Sequence, residues 1–415
     1  MISRLSQLEE LIINGSFQNW DVEGTTSEIS NANLSELNSL PRLVILSLEL
    51  NSKHLPKGFV FPDLHRYFIS INCPLWSPFQ SHDYDSLTCI NSRTLEIQGL
   101  NASSMNALKS LFRTVEYFWV ESCNKECIVD TIGGNHTVTS GNLVKLYLQE
   151  MSSLRTICEG PNQYEIFSNL TVLNADGCQR LISLFSLPLA QSLKKLKVLS
   201  LHRCRKMKQI ISEEGMILES HSQPICLPKL EALAIKNCEK LEYIFPISVA
   251  RGLQQLKSLY LLQLPRLKKV FGQNRDGEVG DGNNNVQLES HHQPTGFPKL
   301  QKTMVFYCEK LEYIYPISIA RDLPQLNCLV LTNVPRLKQV FGHEKGGDVG
   351  DGNNNLLPKL RTLSLQNLGE LDSLGGGNSS SVWPSLESLS MGNCPKLKFF
   401  ADMEANVPAL QKVIS

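Results

Sequence analysis

The chain lacks a net charge: among its 415 residues, 40 Lys and Arg balance 40 Asp and Glu. A neutral chain does not project the general positive field of a nucleic-acid or membrane-surface binder. It also lacks a long apolar run. The richest stretch, Leu40 to Leu50, is interrupted by Arg42 and Glu49, short of the roughly 18 apolar residues that span a bilayer. Residues 1–15 place Arg4, Glu9 and Glu10 around only a brief apolar run, unlike a secretory signal. Without such a signal the 12 cysteines are read as reduced thiols of a cytoplasmic or nuclear protein. Signatures of chemistry are missing as well. No G-x-x-x-x-G-K-S/T loop, G-x-G-x-x-G fingerprint, G-x-S-x-G elbow or H-E-x-x-H pair occurs. Neither an enzyme nor a cofactor is expected.

What is abundant is leucine, 64 of 415 residues, and the leucines are periodic. Leu196, Leu199, Leu201, Cys204, Met207 and Ile210 follow the spacing L-x-x-L-x-L-x-x-C-x-x-M-x-x-I. The spacing recurs from Leu230, Leu256, Leu326, Leu360 and Leu386, with earlier copies from Leu143 and Leu170 and looser ones from Leu43, Leu64 and Val115. The L-x-L core has period two, so it is a short strand with both leucines on one face. One such unit cannot bury its own apolar face, and neighbours must stack into a continuous parallel sheet. The fold class is therefore α/β: a leucine-rich-repeat solenoid with a curved parallel sheet on its concave face and an irregular or short helical convex face. Irregular repeats are expected over 1–141 and regular ones over 142–415. Residues 228–285 and 298–355 match at 35 of 58 positions, a tandem duplication of two units.

Several motifs invite chemistry and fail its requirements. The Gly/Asn-rich inserts at 272–296 and 342–355 contain Asp276, Glu278, Asp281 and Asn283. Counted from Asp281, however, the sixth and twelfth residues are Val286 and His292, which breaks the calcium-loop pattern. These inserts are read as loops on the convex side. Cys123 and Cys127 near His136 lack a fourth zinc ligand. Cys123, Cys178, Cys204, Cys238, Cys308 and Cys394 share one repeat position, which suits a small buried residue. No catalytic, cofactor or metal residue is assigned. Leu187-Pro-Leu-Ala190 aligns with Ile247–Ala250 and Ile317–Ala320 and is read as a short helical turn. Residues 194–208 hold seven Lys and Arg and no acid, a solvated patch or one facing an acidic partner.

The residue between the two strand leucines faces outward from the sheet. Along the stack it is Trp119, Tyr147, Asn174, Ser200, Ala234, Tyr260, Met304, Val330, Ser364 and Ser390. Flanking outward positions include Glu121, Gln149, Asp176, His202, Lys236, Phe306 and Gln366. Exposed aromatics are informative on a sheet face. Trp119 with Tyr147, and Tyr260 with Met304 and Phe306, form two candidate hot spots. With Asp176, His202 and Lys236 they make up the expected protein-binding set. Inserted loops or a shifted register would bury them instead.

These residues resemble a family. The repeat, with Leu-Glu-Tyr-Ile-Phe-Pro at 241–246 and Leu-Lys-Lys-Val-Phe-Gly at 267–272, is similar to the leucine-rich-repeat region of plant intracellular nucleotide-binding disease-resistance proteins of the coiled-coil class. Leu-Ser-Gln-Leu-Glu-Glu-Leu at 5–11, Trp-Asp-Val-Glu-Gly at 20–24 and Leu-Pro-Lys-Gly-Phe-Val-Phe at 55–61 look like that family's first repeats. The resemblance implies sensing of a pathogen effector or a modified host protein, and restraint of a nucleotide-binding domain in cis or in trans. It differs in that repeats begin by Leu5, so a fragment or split partner that binds no nucleotide is expected. The alternative is a substrate adaptor for ubiquitin ligation, which would need an F-box-like helical segment. A protein ligand is the expected partner, with no nucleic acid and no membrane span.

Overall fold

Each x-L-x-L-x core folds as one short strand because its apolar side chains alternate, and a ladder of such strands puts them all on one side. The computed structural model describes residues 2–13, 20–21, 32–73, 91–129, 141–158, 160–212, 225–246, 249, 252–272, 297–316, 323–342, 357–374, 383–397 and 409–414. The chain divides into two compact units, Met1–Leu181 and Ile182–Ser415.

In the first unit, β1 (Glu10–Ile13), β2 (Ile45–Leu50), β3 (Arg66–Ile71), β4 (Arg93–Gln98), β5 (Tyr117–Glu121), β6 (Lys145–Gln149) and β7 (Val172–Asp176) pair in chain order, all parallel. The register stacks Ile13, Leu48, Ile69, Leu95, Phe118, Leu146 and Leu173 in one column. The second unit has β8 (Phe185–Ser186), β9 (Val198–His202), β10 (Ile211–Ser212), β11 (Ala232–Lys236), β12 (Tyr243–Pro246), β13 (Ser258–Leu262) and β14 (Lys269–Gly272). It continues with β15 (Lys302–Phe306), β16 (Tyr315–Pro316), β17 (Cys328–Thr332), β18 (Phe341–Gly342), β19 (Thr362–Gln366), β20 (Ser388–Gly392) and β21 (Lys412–Ile414). Its parallel sheet runs β9-β11-β13-β15-β17-β19-β20-β21, and β8–β10, β12–β14 and β16–β18 pair separately. Leu187–Ser192 forms a short helix capped by the Ser186 side chain. Among the described residues no helix is long and apolar enough to cross a membrane.

The turn after each strand has a common conformation that the leucine spacing does not reveal. The first residue past the strand is left-handed in repeat after repeat: Asn72, Ser122, Glu150, Arg203, Asn237, Gln263, Tyr307, Asn333, Asn367 and Asn393 have φ between 48 and 59°, joined by Gly99 and Gly177. The ladder continues through this residue; Asn237 N–H donates to Leu262 O and Asn333 N–H to Gln366 O, both at 2.9 Å. Asn tolerates the conformation best among non-glycine residues. The Asn side chains also link repeats, Asn393 Nδ2 to Asn367 Oδ1 at 3.1 Å and Asn367 Nδ2 to Asn333 Oδ1 at 2.8 Å. At Gly177 a Cβ would sit 2.5 Å from the Glu150 carboxyl carbon, so glycine meets both a positive φ and a close neighbour. One residue later comes the cysteine column. Cys178, Cys204, Cys238 and Cys308 are buried, and each thiol donates to the carbonyl two residues earlier at 3.5–3.8 Å. Burial pushes the Cys308 thiol up to about 12. The small-core reading of that position holds for these four and for Cys123, whereas Cys394 is half-buried. His136 and the inserts at 273–296 and 343–356 lie outside the described residues.

Behind the second unit's sheet runs an aromatic stack, Phe245–Phe271–Phe297–Tyr315–Phe341, with successive centroids 5.5 to 6.5 Å apart. Tyr315 stands where the duplicated copy has Phe245, and Thr303 stands where it has Leu233. Both are buried, and their hydroxyls share a 2.7 Å hydrogen bond. A polar atom in an apolar core needs such a partner. Tyr315→Phe is expected to cost about 1–3 kcal/mol in chemical denaturation by orphaning the Thr303 hydroxyl. Thr303→Val in the same chain should recover most of that loss; full additivity of the two would contradict the pairing. Tyr307 is left-handed at φ 55° where the other copy has Asn237. Tyr307→Asn should therefore raise stability by about 1 kcal/mol, read as a higher unfolding midpoint; an unchanged or lower midpoint would count against strain there.

Candidate functional site

The parallel register brings the sequence-predicted residues of each unit into rows. In the first unit Trp119 pairs with Tyr147 and Gln149 with Asp176. Tyr147 and Asp176 are half-buried, but Trp119 is only 1% exposed and its Nε1 has no hydrogen-bond partner among the described residues. Trp119 therefore does not present a hot spot to solvent. Alternation sets the direction of a side chain and not its exposure. Glu96 and Tyr147 flank the indole one strand away on either side, and the outward Ser47, Ser70 and Glu96 of β2–β4 are buried too.

In the second unit the outward positions are less covered: β9, β11, β13, β15, β17 and β19 each have buried inward residues and incompletely buried outward ones. Here the register sets Tyr260 beside Met304 and Leu262 beside Phe306. The Tyr260 and Phe306 rings lie 5.7 Å apart at 44°, and the Lys236 ammonium sits 5.0 Å over the Tyr260 ring, a favourable cation–π contact. His202 pairs with Lys236 in register, and its Nε2 lies 2.9 Å from Asn237 Nδ2. The structure thus joins Lys236, Tyr260, Met304 and Phe306 in one cluster. Leu262 and Val330 extend it. These two occupy the same outward positions and could have been read from the x-L-x-L-x alternation.

The basic segment 194–208 finds its acids in the next repeat. Arg205 Nε lies 3.3 Å from Glu239 and Lys197 Nζ 3.9 Å from Glu231. Glu231 also accepts from Lys257 at 2.6 Å, which holds its carboxyl below the ordinary range. Such exposed pairs contribute little stability each. Among the described residues no three His, Cys, Asp or Glu side chains converge as a metal site.

The duplication supplies an internal comparison. The strand segments 231–237 and 257–263 align with 301–307 and 327–333. Of these 14 positions only 2 match, the inward Leu259/Leu329 and Leu261/Leu331, whereas the other 44 (58 − 14) contain 33 matches (35 − 2). All six outward positions differ: Ala232/Lys302, Ala234/Met304, Lys236/Phe306, Ser258/Cys328, Tyr260/Val330 and Leu262/Thr332. Every outward position has changed, against two of the four inward ones, Leu233/Thr303 and Ile235/Val305.

A leucine-rich-repeat stack with an open sheet face is the class that this geometry defines. Residues 80–205 and 214–265 are similar to the family model "plant disease resistance protein RPS2-like, leucine-rich repeats". A "probable disease resistance protein" of Arabidopsis thaliana is 26% identical over 280 residues, covering 65% of this chain and 29% of the relative. A second disease resistance protein of that plant is 23% identical over 350 residues, covering 79% of this chain and 33% of the relative. The chain thus spans about a third of the length of these curated relatives. Among solved structures, an internalin of Listeria monocytogenes is 13% identical, covering 78% of this chain and 86% of that one at a TM-score of 0.31. The TLR13 chain of a complex with single-stranded RNA is 15% identical, covering 91% and 55% at a TM-score of 0.32.

The first unit's face is acidic. Its outward strand positions hold Glu10, Glu49, Glu96, Glu121 and Asp176 against Arg66 and Lys145. Partial desolvation, and then the nearby Glu150 carboxylate, raise the Glu121 carboxyl above its ordinary value. A carboxyl raised in the folded state holds more protons there than in the unfolded chain, so stability falls as pH rises through that window. Glu121→Gln is expected to raise the melting temperature at neutral pH, with the gain fading as pH drops below the ordinary carboxylate range. A variant no more stable than the parent at neutral pH would contradict this repulsion.

Proposed function

We propose that this chain is a non-catalytic protein-recognition module whose second unit docks a protein ligand on its outward sheet face. In this reading it is the repeat region of a plant immune receptor, sensing a pathogen effector or a modified host protein and restraining a nucleotide-binding domain in cis or in trans. The observation that carries the proposal is the divergence of all six outward positions between the duplicated copies, whereas two of the four inward positions, Leu259/Leu329 and Leu261/Leu331, are retained. A face that only needed to be soluble would not exchange Ala234, Lys236 and Asn237 for Met304, Phe306 and Tyr307. Half-exposed aromatic and aliphatic side chains on a rigid ladder are the residue types that anchor protein interfaces. The resemblance to disease-resistance proteins supports the immune setting.

The test is site-specific photocrosslinking of the full chain in challenged plant tissue. A photoreactive residue is placed at Ala234 or Val330, which flank the cluster in register, or at Glu309 beyond the strand. Crosslinked protein is expected from the first two positions only. It should be lost with Tyr260→Ala/Met304→Ala, which should weaken the isolated partner by more than about 1 kcal/mol without lowering the melting temperature. Equal crosslinking from Glu309, or no effect of the double substitution, would reject this face.

A further inference from the structure

The two units' faces differ in sign. Among the described residues, no Asp or Glu occupies an outward position of the second unit's sheet strands, and the charged side chains there are Lys236, Lys302 and Lys412. Two of these lysines border the apolar cluster. Lys236 lies on β11, one strand from Tyr260, and Lys302 lies on β15 two residues before Met304, about 7 Å away along the same face. Lys197 and Lys257, in contrast, already share the Glu231 carboxylate at the start of the strands. Among the described residues neither Lys236 nor Lys302 lies within ion-pair distance of a carboxylate.

We infer that this face takes an acidic protein segment bearing an aliphatic or aromatic anchor, the anchor on Tyr260, Met304 and Phe306 and the carboxylates at Lys236 and Lys302. The inference rests on the docking reading above and specifies the partner's chemistry. The anchor would supply most of the affinity, and the exposed charge pairs would supply sign discrimination and association rate. A polypeptide fits better than a single-stranded nucleic acid. Base stacking needs a free ring face, whereas the Tyr260 ring has the Lys236 ammonium over one face and a tilted Phe306 ring against it. Nor, among the described residues, does an outward position of this unit's sheet strands hold an arginine for bidentate phosphate contact. Each duplicated copy places one lysine on the outward face of its first strand, at a different position: Lys236 in one and Lys302 in the other.

The experiment is fluorescence anisotropy of the full chain with four labelled probes. They are an Asp/Glu peptide with a central Leu-Leu, the same peptide with Ser-Ser, a Lys peptide with the Leu-Leu, and oligouridylate. The first should bind tightest and weaken with added salt. Lys236→Glu/Lys302→Glu should lower its affinity about tenfold and favour the Lys peptide. Lys206→Glu/Lys208→Glu, on the segment after β9, should change it by less than about twofold. Circular dichroism and thermal unfolding confirm that each variant folds. Tightest binding of the Lys peptide or oligouridylate, indifference to the charge reversal, or no binding by any probe overturns the inference. If Tyr260→Ala/Met304→Ala weakens peptides whatever their charge, the docking face stands and the acidic partner falls. If it weakens none, both fall.

Discussion

Everything in this protein depends on one constraint: a strand of about five residues buries its leucines only when identical strands lie on both sides. The ladder satisfies the backbone groups and the stacked columns satisfy the side chains. A turn must then leave every strand without breaking the ladder. The left-handed residue does this, and it explains why asparagine and glycine recur there. The next residue points back beneath the strand, where a thiol fits and reaches the carbonyl two residues earlier. Leucine column, turn and cysteine are consequences of the same stacking.

Because the inward side is so constrained, variation is pushed outward. The duplicated pair of repeats shows this within one chain. Where a core position became polar, Leu233 against Thr303, a second difference answers it, Phe245 against Tyr315, and the two hydroxyls bond each other. Outward positions needed no such compensation, and all six changed. One repeat unit thereby supplies both a conserved scaffold and an adaptable surface.

The zero net charge conceals a segregation. Carboxylates gather on the first unit's face, and on the second's lie lysines that, among the described residues, pair with no carboxylate. A sum over the chain is blind to this, because charge acts over roughly a Debye length and not over a whole molecule. The basic run at 194–208 misleads in the opposite direction: its acids, Glu231 and Glu239, arrive from the following repeat.

The residues by themselves determined the period, the strand positions and the side on which each residue points, because alternation and stacking are properties of local spacing. They also showed the role of the cysteine position and a helical turn at Leu187–Ala190, which the structure extends to Ser192. They did not reveal the left-handed turn column, although the recurring asparagines at 237, 333, 367 and 393 were in view. Only the tertiary structure decided exposure. Trp119 and Tyr260 occupy equivalent outward positions, yet one is buried and the other half-exposed. The difference lies in what neighbouring strands and covering side chains place over them, and those contacts come from residues distant in the chain.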